Sequence, residues 1–93
     1  MDSGWINSEF YKYRLVKGIV FLASTKDIYT AGSQMLIGTL PEGFRPSQGI
    51  YTSGVCGSSG RYPLYIEVQP NGKVYADGLY EFGRFMTSFP IGS

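Results

Sequence analysis

Four side chains in one short stretch are spaced to act together: Tyr65, Glu67, Tyr75 and Asp77. Acid–base chemistry would have to come from the two carboxylates, because the chain has no histidine. That removes the usual general base near neutral pH, the commonest zinc ligand and the ordinary hydrolytic triads. The single cysteine, Cys56, has no imidazole to activate it and reads as a small, semi-buried apolar residue. No glycine pattern matches a phosphate-binding loop. Carboxylates on neighbouring strands, roughly 5–8 Å apart, fall in the range for glycoside hydrolysis. Nothing in the sequence suggests the deep cleft or apolar pocket that would raise one carboxyl pKa. Three readings of the face therefore stand side by side: a solvated polar surface, a platform for a polyol or sugar, and a hydrolytic pair. No catalytic residue, no cofactor and no metal is expected.

The element that must position these groups is a hairpin. Leu64, Ile66 and Val68 alternate with Tyr65, Glu67 and Gln69, and the period resumes at Val74 and Ala76. With a two-residue Asn71-Gly72 loop, Val68 would oppose Tyr75, an inward residue against an outward one. With a three-residue Pro70-Asn71-Gly72 loop, Val68 opposes Val74 and Ile66 opposes Ala76, so all apolar side chains share one face. Pro70 suits a type I turn and Gly72 the left-handed position that closes it. The other face then sets Tyr65 across from Asp77 and Glu67 across from Tyr75. Arg84, near the last strand, joins the candidate ligand set because its planar fork suits a phosphate or a sugar hydroxyl.

Composition bounds the rest. Ninety-three residues suit one domain with one core, spanning residues 1–93. The net charge is +1 with eight scattered Lys and Arg residues, which is not the basic stripe of a nucleic-acid binder. No apolar run reaches membrane-span length, and the N-terminus lacks a signal-peptide layout. A lone cysteine excludes an internal disulfide framework. Abundant Tyr, Phe, Val, Ile and Thr predict an all-β fold. A core this small and the free edges of an open sandwich both favour oligomerisation.

Along the chain, strands are predicted at 10–16, 19–23, 34–40, 50–56, the two hairpin arms and 85–91, about seven in an antiparallel barrel or sandwich. The run Ile19 to Ala23 reads as a strand buried on both sides, and 24–33 as mainly loop. Pro90 marks an edge or a strand end. The segment 41–46, with two prolines and a glycine, must be a rigid connector in which Phe44-Arg45-Pro46 serves core and corner. Trp5 is a packing or subunit-interface anchor. Gly57 to Gly60 is a loop tip, with Arg61 and Tyr62 beside it.

The segment Ile37-Gly38-Thr39-Leu40-Pro41-Glu42-Gly43-Phe44-Arg45-Pro46, followed by Leu64 to Val74, resembles the C-terminal head domains of receptor-binding proteins from tailed phages. The likeness is to baseplate proteins of phages infecting lactococci and related Gram-positive bacteria. Ser3-Gly4-Trp5-Ile6 and Tyr11 to Phe21 look like the first hairpin of such modules. The resemblance implies a homotrimeric β head at the end of a longer tail protein. It would recognise host cell-surface polysaccharide, often glycerol- or phosphate-containing, near clefts between protomers. It further implies a place in the virion tail tip among other tail and baseplate proteins, synthesis in the host cytoplasm, and no nucleic-acid partner or membrane insertion. In lactococcal heads a histidine and an acid alternate before the turn and a tryptophan follows it. Here Tyr65 and Glu67 hold the first two positions, and Ala76 and Asp77 stand near the third. The alternative function is a structural or trimerisation cap of a tail fibre that touches no receptor.

Overall fold

The computed structural model describes residues 2–30, 33–56, 62–78 and 82–91. The predicted loop tip at 57–60, Arg61 and the side chains of Cys56 and Tyr62 lie outside the described residues.

Strands β7 (Tyr62–Val68) and β8 (Lys73–Asp77) pair antiparallel in the register that parity demands. Tyr65 opposes Asp77, Ile66 opposes Ala76, Glu67 opposes Tyr75 and Val68 opposes Val74. The Gly72 N–H donates to the Gln69 carbonyl at 2.8 Å, and the Gln69 N–H to the Lys73 carbonyl at 2.9 Å. The Asn71 side-chain oxygen accepts from the Lys73 N–H at 3.0 Å. Gly72 sits at φ +93°, where a β-carbon is strained, and the space beside it is filled by the Leu40 carbonyl and the Arg45 guanidinium.

That filling joins the two motifs of the sequence likeness in space. The Leu40 N–H donates to the Gly72 carbonyl at 2.8 Å, and Arg45 Nε donates to the Leu40 carbonyl at 2.8 Å. Phe44 stands edge-on to Tyr13 at 5.0 Å, and Pro46 is buried. The connector therefore clamps the turn and closes one end of the core.

Two antiparallel sheets make the sandwich. The first runs β1 (Ile6–Asn7), β2 (Tyr11–Val16), β3 (Ile19–Ser24), β10 (Met86–Pro90). The second runs β4 (Ile28–Tyr29), β9 (Phe82–Arg84), β6 (Ile50–Cys56), β7, β8, β5 (Met35–Thr39). The period-2 positions facing inward form one core: Tyr11, Tyr13, Val20, Leu22 and Phe89 from one sheet, Ile28, Ile37, Leu64, Ile66, Val68, Val74 and Ala76 from the other. Tyr11 is almost fully enclosed, and burial pushes its hydroxyl pKa up.

The chain passes back between sheets at Phe85. The Ser24 N–H donates to the Phe85 carbonyl at 3.0 Å, and the Phe85 N–H donates to Ser24 Oγ at 3.1 Å. Gly54 lies under this crossing, where a β-carbon would collide with the Arg84 carbonyl and approach Phe85 Cα to 2.8 Å. The glycine that weakens β6 on propensity is the residue that lets β9 turn into β10.

The seven predicted strands are present, and β1, β4 and β9 join them among the described residues. Strands of two or three residues are too short to carry a readable alternation. Within the predicted loop 24–33, Ile28 is fully buried, and Thr30 Oγ1 accepts from the Gly78 N–H at 2.9 Å. One expectation is corrected. β3 is not buried on both sides, since Ile19 is 36% and Phe21 40% exposed. The sandwich has only two layers, so the outward positions of β3 lack an apolar cover. They lie instead beside Val16 and Arg14 on β2 and Pro90 and Ser88 on β10. Among the described residues β10 pairs only with β3, which leaves Pro90 on an edge strand as its missing N–H requires.

Candidate functional site

The outward positions of β6, β7 and β8 form a continuous surface. Register places Tyr51 opposite Glu67 and Ser53 opposite Tyr65, with Tyr75 and Asp77 completing the same rows from β8. A depression of about 260 Å³ opens here, lined by Gln34, Tyr51, Thr52, Tyr65, Ile66, Glu67, Tyr75 and Asp77. Four of the five candidate residues, Tyr65, Glu67, Tyr75 and Asp77, are thus brought together. Ile66 is fully buried, with its side chain in the core beneath the depression. Leu36 of β5 lies opposite Tyr75 on the next strand.

Accessibility varies across the depression, and Asp77 is exposed. Tyr51 is 79% and Tyr65 61% exposed, so both present ring faces to solvent, whereas Tyr75 and Glu67 are half-buried. The Gln69 amide donates to Glu67 Oε2 across 3.4 Å, a long contact that fixes the carboxylate only loosely. Ion pairs among the described residues join Arg14 to Asp2 and Arg84 to Asp27, so neither Glu67 nor Asp77 has a cationic partner there. The depression therefore combines aromatic faces, two acceptor carboxylates, phenol hydroxyls and the Gln34 amide. Hydroxyl groups of a polyol can donate to the acids while ring C–H bonds lie on the negative faces of the tyrosines.

Arg84 is placed elsewhere. It shares the outer face, but β9 meets β6 at Val55, two strands away from β7, and Arg84 Nε donates to Asp27 at 2.6 Å. Sequence reasoning missed Gln34, Tyr51 and Thr52. The strand 50–56 was legible, but its register on β7 runs through the 57–61 connection, whose turn chemistry offers no parity argument of the kind Pro70-Asn71-Gly72 provides. Among the described residues no three His, Cys, Asp or Glu side chains gather as a metal cage.

No family model and no curated protein sequence matches this chain. The structure does have a counterpart: the crystal structure of the head domain of phage bIL170, described among the receptor-binding domains of lactococcal phages. The two superpose with a TM-score of 0.62 at 18% identity, over 96% of this chain and 90% of that one. The chain therefore has the fold of a lactococcal phage head domain.

Proposed function

We propose that this chain is a receptor-binding head domain of a tailed phage, and that it holds host cell-wall saccharide in the depression between Tyr51, Tyr65, Glu67, Tyr75 and Asp77. The observation that carries the reading is the fold shared over nearly the full length with the bIL170 head domain. The depression lies on the hairpin that the sequence likeness singles out. Its chemistry favours the hydroxyls of a glycerol or sugar unit over a phosphate, because two carboxylates without a cationic partner among the described residues repel an anion.

In this reading the domain binds and does not catalyse. The two acids sit on an open face, and no histidine is available to move a proton. The domain works as a homotrimer at the virion tail tip, in company with other tail proteins, after synthesis in the host cytoplasm. Each saccharide contact is weak alone, and multiple copies raise the apparent affinity by avidity. Binding of the purified domain to lactococcal cells and to a glycan array tests the assignment. Tyr65→Ala and Glu67→Ala each weaken retention about tenfold or more, while folded mass and thermal midpoint stay put. Undiminished retention by both variants moves the site off this face. Light scattering on the same samples reads the oligomer.

A further inference from the structure

On the same outer face, β4 and β9 form a second group of exposed side chains that the first depression does not use. Their ladder pairs Ile28 with Gly83 and Tyr29 with Phe82. Ile28 and Gly83 are buried, so the alternate positions Asp27, Tyr29, Phe82 and Arg84 all point outward. Tyr29 and Phe82 lie ring beside ring, centroids 5.1 Å apart and planes 37° apart, yet remain 42% and 59% exposed. Beside them, Arg84 Nε donates to Asp27 Oδ1 at 2.6 Å, with side chains 64% and 53% exposed. Single exposed apolar residues are ordinary, but two contiguous rings abutting a donor–acceptor pair are not.

We propose that Tyr29, Phe82, Asp27 and Arg84 form a second saccharide subsite for the same polymer; the assignment rests on the saccharide reading of the first depression. The aromatic pair offers a shelf for one ring of the chain. The ion pair presents an acceptor next to a donor: Asp27 accepts a hydrogen bond from one hydroxyl, and the terminal guanidinium N–H groups of Arg84 donate to its neighbour. That geometry selects adjacent hydroxyls on one sugar.

Spacing supports a shared ligand. Arg84 pairs with Val55, which also opposes Pro63, two residues along β7 from Tyr65. With strands about 4.8 Å apart and a rise of about 3.4 Å per residue, the subsites are centred roughly 12 Å or more from one another. That distance is the reach of an oligosaccharide and not of a single sugar. Between the subsites lie the exposed Ser53 and Val55.

Calorimetry with lactococcal wall polysaccharide, cut into monosaccharides and graded longer fragments, tests this on wild type, Phe82→Ala, Arg84→Gln and Tyr65→Ala. Long fragments bind Phe82→Ala about tenfold and Arg84→Gln about threefold more weakly than wild type. Monosaccharide affinity is unchanged in both, and Tyr65→Ala loses affinity for every length. Long-fragment affinity retained by both Phe82→Ala and Arg84→Gln overturns the second subsite while leaving the first intact. A silent Tyr65→Ala beside a weakened Phe82→Ala keeps the second subsite and removes the first. No binding by wild type removes both. Should Phe82→Ala lower the thermal midpoint markedly, Arg84→Gln decides alone. A changed oligomeric state in Phe82→Ala, with fragment affinity intact, assigns the rings to a subunit contact and overturns the proposal.

Discussion

The two outer faces of the sandwich are built from the same alternation and carry opposite chemistry. The six-stranded face around β7 and β8 presents tyrosines with two acids that lack a cationic partner among the described residues. The four-stranded face presents Trp5, Ile19, Phe21 and Met86, with its charges already engaged. There Lys12 Nζ lies 4.5 Å from the Trp5 ring centre, Arg14 stacks at 5.9 Å, and Arg14 also pairs with Asp2. One surface holds polar groups still available to a ligand; the other has spent them on its own rings and acid. Exposed aromatic area alone does not mark a site: around β7 and β8 the rings stand beside acids without a cationic partner among the described residues, whereas Trp5 stands against its own cations.

The strongest way to break this contrast is from below. Ile66→Ala hollows the core beneath the depression and, as a fully buried large-to-small change, costs about 3 kcal/mol, or roughly 15 °C in thermal midpoint. Saccharide retention at low temperature falls with it. A smaller loss follows from Gly72→Ala, which forces a β-carbon into φ +93° against Leu40 and Arg45. About 2 kcal/mol is expected, read by denaturant unfolding, with the register of β7 on β8 loosened.

Phe21→Ser sharpens the contrast without breaking it. At 40% exposure on the opposite face, it leaves saccharide affinity within twofold of wild type and unfolding free energy within about 1 kcal/mol. A large drop in affinity would deny the division between faces. The smallest effect is a titration. The Arg14 side chain, with help from the Gly4 N–H, lowers the Asp2 carboxyl from its ordinary 3.8 to about 2. A depressed folded-state pKa contributes stability above pH 3.8 and loses it as pH falls through about 2. Asp2→Asn removes that part of the acid dependence. Because Trp5 is the sole tryptophan and lies against Arg14, its fluorescence reports the released guanidinium.

Much of this was legible in the residues. The hairpin and its register follow from parity, because the turn Pro70-Asn71-Gly72 has defined geometry and both arms alternate without a break. Four of the five candidate side chains came together for that reason alone. Arg84 did not, because its strand is three residues long and its position depends on the crossing at Gly54 and Phe85, a contact between segments some thirty positions apart. Tyr51 escaped notice for a related reason: an exposed tyrosine on a glycine-containing strand announces no partner until β6 is registered on β7. β3 misled because a continuous apolar run reads as fully enclosed. Here half of that run looks outward from a two-layer sandwich.

The most direct test is an amide-resonance titration of the labelled domain with lactococcal wall polysaccharide. The account predicts shifts concentrated at Tyr51, Tyr65, Glu67, Tyr75 and Asp77, saturating together and abolished in Tyr65→Ala. Shifts confined to Trp5, Lys12, Phe21 and Met86 on the other sheet, with β7 and β8 silent, would contradict it.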